Sequence, residues 1–342
     1  MARAVDIAPG GRVGVPLVAA ALVVGLASVA LIGMLAGSVA VTPGDLWHMI
    51  ANRVGRGDGV ARLTDSVLWA IRLPRVLAGL VAGAGLGAAG VALQGVFRNP
   101  MADPHLIGIS PAAGLGAVLG IAATPALGSS LPMVLGAIGA GVLLAIGMQR
   151  IAANVVDSGQ LVLVGIAIGF AVLAALGAIV LGWDSPRVPT FTFWVFGGLS
   201  GATWSILGAA APFVGIGIAA VAASGRSLDL MALGEDEARH LGVDVARVRA
   251  LVFAGAGMTV GGAVAMSGVV GFVGLVVPTL LRHWVGPSHR RLVVLSALGG
   301  AVALAGLDIV ARTVVAPIEI PVGLITAIGG APVLVWFLLR RA

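Results

Sequence analysis

The chain has 342 residues, of which 59% are hydrophobic and only 10% charged, and its mean hydropathy is +1.10. That is far too apolar for a soluble globular protein of this length and makes it an integral membrane protein. All 20 basic residues are arginine and there is no cysteine, which excludes Schiff-base lysine chemistry, a Walker A lysine, thiolate nucleophiles, disulfides and cysteine-ligated metals. The formal charge of +6 comes from arginines scattered between apolar segments, a topological pattern rather than a nucleic-acid stripe.

Residues 1–12 read as a short tail. The apolar stretch from about Val13 to Val41 is too long for a signal-peptide core of roughly 7–15 residues and reads as an uncleaved first helix. Requiring about 20 apolar residues per crossing, the sequence predicts ten membrane helices, near 13–41, 74–95, 105–123, 131–150, 160–182, 204–223, 249–268, 271–285, 291–311 and 321–339, two of them short. A cytoplasmic amino terminus puts most arginines inside, among them Arg98, Arg150, Arg239, Arg249, Arg282 and Arg290, so both termini are expected in the cytoplasm.

Arg72 and Arg75 stand just before the second crossing and Arg312 just after the ninth, all on the outer side in this topology. They invite an anionic partner; the alternative is that they reach lipid headgroups or neutralise Asp308, one helical turn from Arg312. Inside the second crossing Gly79, Gly83 and Gly87, with Val91, form a small-residue face suited to close helix packing. At its inner end RNPMADP contains two proline-enforced turns through Arg98, Asn99 and Pro100, with Asp103 placed to cap a helix beginning at Pro104. The following HLIGISPAAGLGAVLG carries Pro111 and several glycines, so a broken helix is expected there, tolerated only where protein or a cavity surrounds it.

One internal repeat is visible. AGAG begins both Ala82 to Gly95 and Ala254 to Gly268, with a further glycine eight positions on in each, Gly90 and Gly262. The copies fall in the second and seventh crossings, which run in opposite directions, so the repeat is inverted, as in transporters with a central pathway; chance matching in a Gly/Ala-rich chain is the alternative. Between the fifth and sixth crossings, residues 184–203 form an outer re-entrant or short helical segment. Its Phe193 and Phe196, with Ser200, suit either a substrate path or, with Trp183, Trp194 and Trp204, interfacial anchoring and packing.

The one long hydrophilic inner loop, residues 225–248, predicts two short helices. Ser227 or Asp229 caps the first, Leu228, Met231 and Leu233 give it an apolar face, and Gly234 interrupts it. The second runs from Glu235 to Leu241, with Ala238 within it, Arg239 and His240 in its last turn and Gly242 as the terminating residue. Such helices suit the groove of a soluble partner; the alternative is a solvated linker hairpin.

Taken together, these motifs resemble the FecCD family, the permease subunits of type II ABC importers for ferric siderophores, haem and cobalamin. The matching residues are Arg72-Leu73-Pro74-Arg75, Gln94 to Pro100 with Ala102-Asp103-Pro104, Leu106 to Ser110, Phe196 to Ser200 with Ala202-Thr203-Trp204, Gly234-Glu235 with Ala238 and Leu241-Gly242-Val243, Gly271 to Leu275 with Pro278, and Pro321-Val322-Gly323 with Gly330-Ala331-Pro332. The resemblance implies an all-α, polytopic, single-domain permease over residues 1–342, forming a homodimer in the bacterial inner membrane. It implies two cytoplasmic ATPase subunits that bind ATP and magnesium, an external substrate-binding protein, and in this chain no catalytic residue, cofactor, metal or nucleic acid. It also implies that Arg72, Arg75 and Arg312 dock acidic residues of the binding protein and that Leu228 to Gly242 couple to the ATPase. Many relatives carry histidine where Thr279 stands, with His283 a turn later. The cargo implied is an iron chelate, with cobalamin the alternative. An ion-coupled carrier would need a buried acid at mid-membrane, and Asp308 is the sole acid deep enough to consider.

Overall fold

A computed structural model describes residues 14–57, 63–123, 130–152, 158–181 and 196–339. Among these the chain is helical with no strand, and all ten expected crossings are helices. They are α1 (Val15–Leu35), α4 (Leu73–Val96), α5 (Ile109–Ala123), α6 (Leu131–Ala152), α7 (Ser158–Leu181), α8 (Trp204–Ala223), α11 (Val245–Ser267), α12 (Val273–Val285), α13 (His289–Thr313) and α14 (Val322–Leu339). Among the described residues, six spans are long and apolar enough to cross a bilayer by length and composition. Between them lie α2 (Pro43–Arg53) and α3 (Leu63–Ser66) before α4, and α9 (Gly225–Met231) and α10 (Glu235–His240) before α11.

Several boundaries differ from expectation for identifiable reasons. The first crossing stops at Leu35, where Ala36 turns extended and Gly37 takes a φ of +150°, and Thr42 and Asp45 then close a capping box that starts α2. The third starts at Ile109 rather than 105, after Gly108 takes a left-handed φ of +88°. The hydrophilic loop is shorter than expected: the Asp244 side chain accepts from the Arg247 amide, so α11 begins at Val245 and takes in Arg247. The second crossing is longer, since α3, a π-helical turn over Val67–Arg72 and α4 run on as one span of 34 residues. The short helix expected within 184–203 lies largely outside the described residues.

Two helices form the centre. The spans containing α4 and α11 are each 78% buried, against 6–50% for the other four long spans. They run antiparallel: Phe97, just past the end of α4, meets Phe253 near the start of α11 edge-on, with ring centroids 5.6 Å apart. The α4 helix packs chiefly on α13 and α11 chiefly on α6. In order of crossing these are the second on the ninth and the seventh on the fourth, pairs that exchange when the chain is shifted by five crossings. That is the packing signature of an inverted repeat.

Glycine makes these contacts possible, because lipid offers no hydrophobic drive and helices associate by close approach. A Cβ on Gly83 would lie 2.2 Å from the Gly300 carbonyl oxygen, and one on Gly87 2.0 Å from that of Ser296. On α11, a Cβ on Gly257 would sit 2.7 Å from Val142 Cα and one on Gly261 2.5 Å from Ile138 Cα. The equivalent faces are thus Gly83/Gly87 and Gly257/Gly261, two residues out of register with the AGAG match. The repeat is real in the packing, and its most visible tetrapeptide is not its exact frame.

Gly87→Ala should lower the melting temperature in detergent, by the roughly 1–3 kcal/mol typical of overpacking. Gly215→Ala, where an added Cβ meets nothing within 4 Å, should leave it unchanged; equal effects would refute the packing account.

Candidate functional site

The polar chemistry gathers at the two ends of the α4–α13 pair. At the end where α4 begins, the π turn aims Arg72 back at α1. Its Nη1 donates to the carbonyls of Met34 and Leu35 at 2.7 and 2.8 Å, and its Nη2 to that of Val39. Arg72 therefore satisfies the last carbonyls of α1 and complements its dipole. One turn on, Arg75 Nε and Nη2 engage Asp308 of α13 at 2.9–3.1 Å, while its Nη1 reaches Glu319 at 2.9 Å. Arg312 donates to the Gly33 carbonyl at 2.7 Å, and its Nε stands 3.6 Å from Asp308 Oδ2.

These contacts revise the outward-facing picture of the three arginines. Arg72, Arg75 and Arg312 are 4%, 7% and 6% exposed, and their guanidinium groups point into the chain. The alternative reading, neutralisation of Asp308, accounts for Arg75 and Arg312; Arg72 serves backbone carbonyls instead. The partner from across the fold, Arg75 with Asp308, is separated by 233 residues and has no local sequence signal. Asp308 sits at this ion-paired end of its helix, which removes it as a mid-membrane carrier site.

Nearby, Trp69 of the π turn packs on Trp204 with centroids 5.1 Å apart, its carbonyl accepts from Trp204 Nε1, and Arg53 lies 4.0 Å over its ring. Of the pathway candidates, Phe196 and Ser200 are exposed. The carbonyl of Phe196 crowds Gly323 so closely that a Cβ there would be 2.1 Å away. Phe193 lies outside the described residues.

At the opposite end, α9 and α10 are held by two acids. Asp229 does not cap its own helix. Its carboxylate accepts from the backbone N–H of His289 at 2.5 Å, from Ser288 Oγ at 3.0 Å, and lies 3.0 Å from His289 Nδ1, so it caps the start of α13 from outside. Glu235 collects three arginines from three segments: Arg98 of the turn after α4 at 3.6 Å, Arg239 of α10 at 3.7 Å, and Arg249 of α11. The apolar face expected to meet a partner divides in two. Leu228, Met231 and Ala238 are buried within the chain, whereas Leu233 and Leu241 are 68% and 59% exposed. Leu228 turns inward because it packs over Gly95, where an added Cβ would lie 3.3 Å from Leu228 Cδ2. Gly234 and Gly242 bracket α10 with φ of +140° and +83°, backbone that glycine adopts most readily.

The RNPMADP turn folds as read, with refinements. Arg98 takes a left-handed φ of +47°, and Asn99 Oδ1 accepts from the Met101 amide after Pro100. Asp103 Oδ1 accepts from the amides of His105 and Leu106, capping the turn that begins at Pro104 rather than a regular helix. Burial pushes the Asp103 carboxyl above its ordinary range, although His105 and these amides act the other way. Beside it α12 starts inside the bundle, at Phe272 with φ +67°. Pro278 has no N–H for the Gly274 carbonyl four residues back, and Gln94 Nε2 faces that oxygen at 3.5 Å while Gln94 Oε1 accepts from Arg282. Thr279 returns its hydroxyl to the Leu275 carbonyl and lines a small apolar cleft with Met101, Leu275, Val276, Val333 and Leu334.

A buried inverted-repeat pair, short unbroken helices at α5, where the sequence predicts a broken one, and at α12, and a short-helix hairpin tied to three helices of the bundle define a polytopic transporter subunit. The chain belongs to the FecCD transport family, whose model matches residues 22–340. It is 38% identical over 290 residues to the hemin transport system permease protein HmuU of Yersinia pestis, covering 81% of this chain and 86% of that protein. It is 33% identical over 317 residues to the vitamin B12 import system permease protein BtuC of Salmonella paratyphi A, covering 93% and 95%. Among solved structures it resembles a transporter described as of the metal-chelate ABC type in an inward-facing conformation, with TM-score 0.77, 28% identity, and coverage of 95% of this chain and 99% of that one. The chain is an ABC importer permease, a subunit that is not itself catalytic.

Asp308→Asn, which takes from Arg312 its paired acid and leaves Arg75 with Glu319 alone, should destabilise the protein by about 3–5 kcal/mol. A thermal melt in detergent reads this, and a change below about 1 kcal/mol, the scale of an exposed pair, would contradict the buried-cluster assignment.

Proposed function

We propose that this permease carries an iron chelate, a ferric siderophore or haem, from an external substrate-binding protein into the cytoplasm. It does so as a homodimer in the bacterial inner membrane, with both termini cytoplasmic, powered by two ATPase subunits that bind ATP and magnesium. The observation that carries the coupling part is the double tether of α9 and α10. Asp229 holds the hairpin to α13, and Glu235 holds it to the ends of α4 and α11. A push on the exposed Leu233, Arg239 and Leu241 is then delivered to the central helices as a rigid displacement, the form of coupling that a packed two-state bundle can use. Leu228, Met231, Ala238 and Gly242 set the hairpin's shape.

The hemin permease likeness favours an iron chelate, and the B12 permease likeness, at lower identity but over more of the chain, keeps cobalamin as the second cargo. In liposomes holding the assembled importer, ATP-dependent uptake of one among ferric siderophore, haem and cobalamin identifies the cargo; uptake of cobalamin alone would overturn the iron reading. In the same assay Glu235→Ala should cut uptake at least about tenfold while ATP hydrolysis persists, since arginines left without their acid let the hairpin move independently. Uptake and hydrolysis falling in strict proportion would contradict the tether.

A further inference from the structure

The buried arginines pose a problem for docking, because an acid on a binding protein cannot pair with a guanidinium that has no open side. The structure offers one way in. Arg75 holds two carboxylates of different character. Asp308 has a side chain only 4% exposed and two contacting oxygens fixed on α13, whereas the Glu319 side chain is 36% exposed and comes from the connection between α13 and α14. That connection is open to the surroundings: Val314 and Ile318 are each 67% exposed and Val315 is 46% exposed. Its backbone is tied back next to Glu319, where the Ile320 amide donates to the Ala311 carbonyl at 3.0 Å. The cluster of Arg72, Arg75, Arg312, Asp308 and Glu319 holds three cations against two anions, so it keeps a positive charge with Glu319 in place.

We infer that Glu319 is a placeholder: it occupies Arg75 Nη1 in the undocked permease and is displaced by a carboxylate of the binding protein when that protein docks. The inference rests on the proposed binding protein docking at Arg72, Arg75 and Arg312, as the family resemblance implies. Exchange of one carboxylate for another costs little Coulomb energy, because the charge facing Arg75 is unchanged, and it avoids exposing an unpaired buried guanidinium at any stage. Asp308 stays and keeps Arg75 in register. The displaced Glu319 frees the 314–319 segment, so that docking is reported to the adjoining ends of α13 and α14. Arg75 is thus the receiving residue and Glu319 a positioning residue that competes for it.

Removing an acid near a docking site whose partner is acidic raises affinity by lowering repulsion, so the test must separate exchange at Arg75 from general electrostatics. With the complete importer in nanodiscs and its substrate-binding protein at low salt, Glu319→Gln should tighten binding about three- to tenfold. This gain should vanish in an Arg75→Gln background, where general charge effects would persist. Glu319→Asp, too short to reach Nη1 but equally charged, should also tighten binding. Because the chain has no cysteine, a single Ile318→Cys reports the segment directly: maleimide should label it faster in Glu319→Gln than with Glu319 intact. Unchanged or weaker binding in Glu319→Gln, with binding still dependent on Arg75, overturns the exchange alone. Binding that ignores Arg75→Gln while that variant stays folded by thermal melt removes the docking reading and the exchange with it.

Discussion

The backbone-to-backbone contact between α4 and α13 is the constraint from which the remaining structure follows. In a membrane the apolar side chains of two helices gain nothing by leaving lipid for each other, so a stable pair needs close approach and satisfied polar groups. Gly83 and Gly87 supply the approach, against the carbonyls of Gly300 and Ser296. The end where α4 begins supplies the polar part, Arg75 with Asp308, while at the other end Asp229 of α9 ties the hairpin to the first amide of α13. Each device alone is weak or costly. Together they fix the two helices in rotation and in register.

In the proposed coupling, a pair locked in this way transmits motion instead of absorbing it. The hairpin of α9 and α10 is fastened to the same helices, and through Arg249 to α11, the other buried centre of the inverted repeat. The α12 helix is different in kind. It starts inside the bundle from a left-handed Phe272, carries Pro278, and shows a carbonyl left by that proline to Gln94. The molecule therefore combines a stiff element that carries force with a shorter, proline-bearing one beside it, the combination that a packed bundle with two discrete arrangements requires.

Much of this was legible in the sequence, and the limits have physical causes. Hydropathy places ten helices because each must bury about 20 residues' worth of backbone in lipid, and small-residue spacing correctly marks Gly83 and Gly87 as a packing face. Charge at helix ends is read less well. Arg72 and Arg75 carry the same side chain on adjacent turns, yet one caps α1 and the other binds Asp308, and only tertiary geometry distinguishes them. Likewise the apolar face of α9 is real, but Leu228 and Met231 point inward while Leu233 points out, since periodicity reports amphipathicity and not which surface covers the stripe. Asp229 sits where a helix cap is plausible and instead caps a helix 60 residues away, a contact with no local signature.

The central claim is that hairpin and helix pair move as one body. The absence of cysteine allows paired spin labels at Arg226→Cys on α9 and Val310→Cys on α13, both at exposed positions, in the assembled importer. Through the ATP cycle the distance between the labels within one chain should stay constant to about 2 Å, while the distance between equivalent labels on the two copies of the proposed homodimer changes by more, as rigid-body rotation requires. An intrachain distance that changes as much as the interchain one would show that the tethers yield, and would contradict the account.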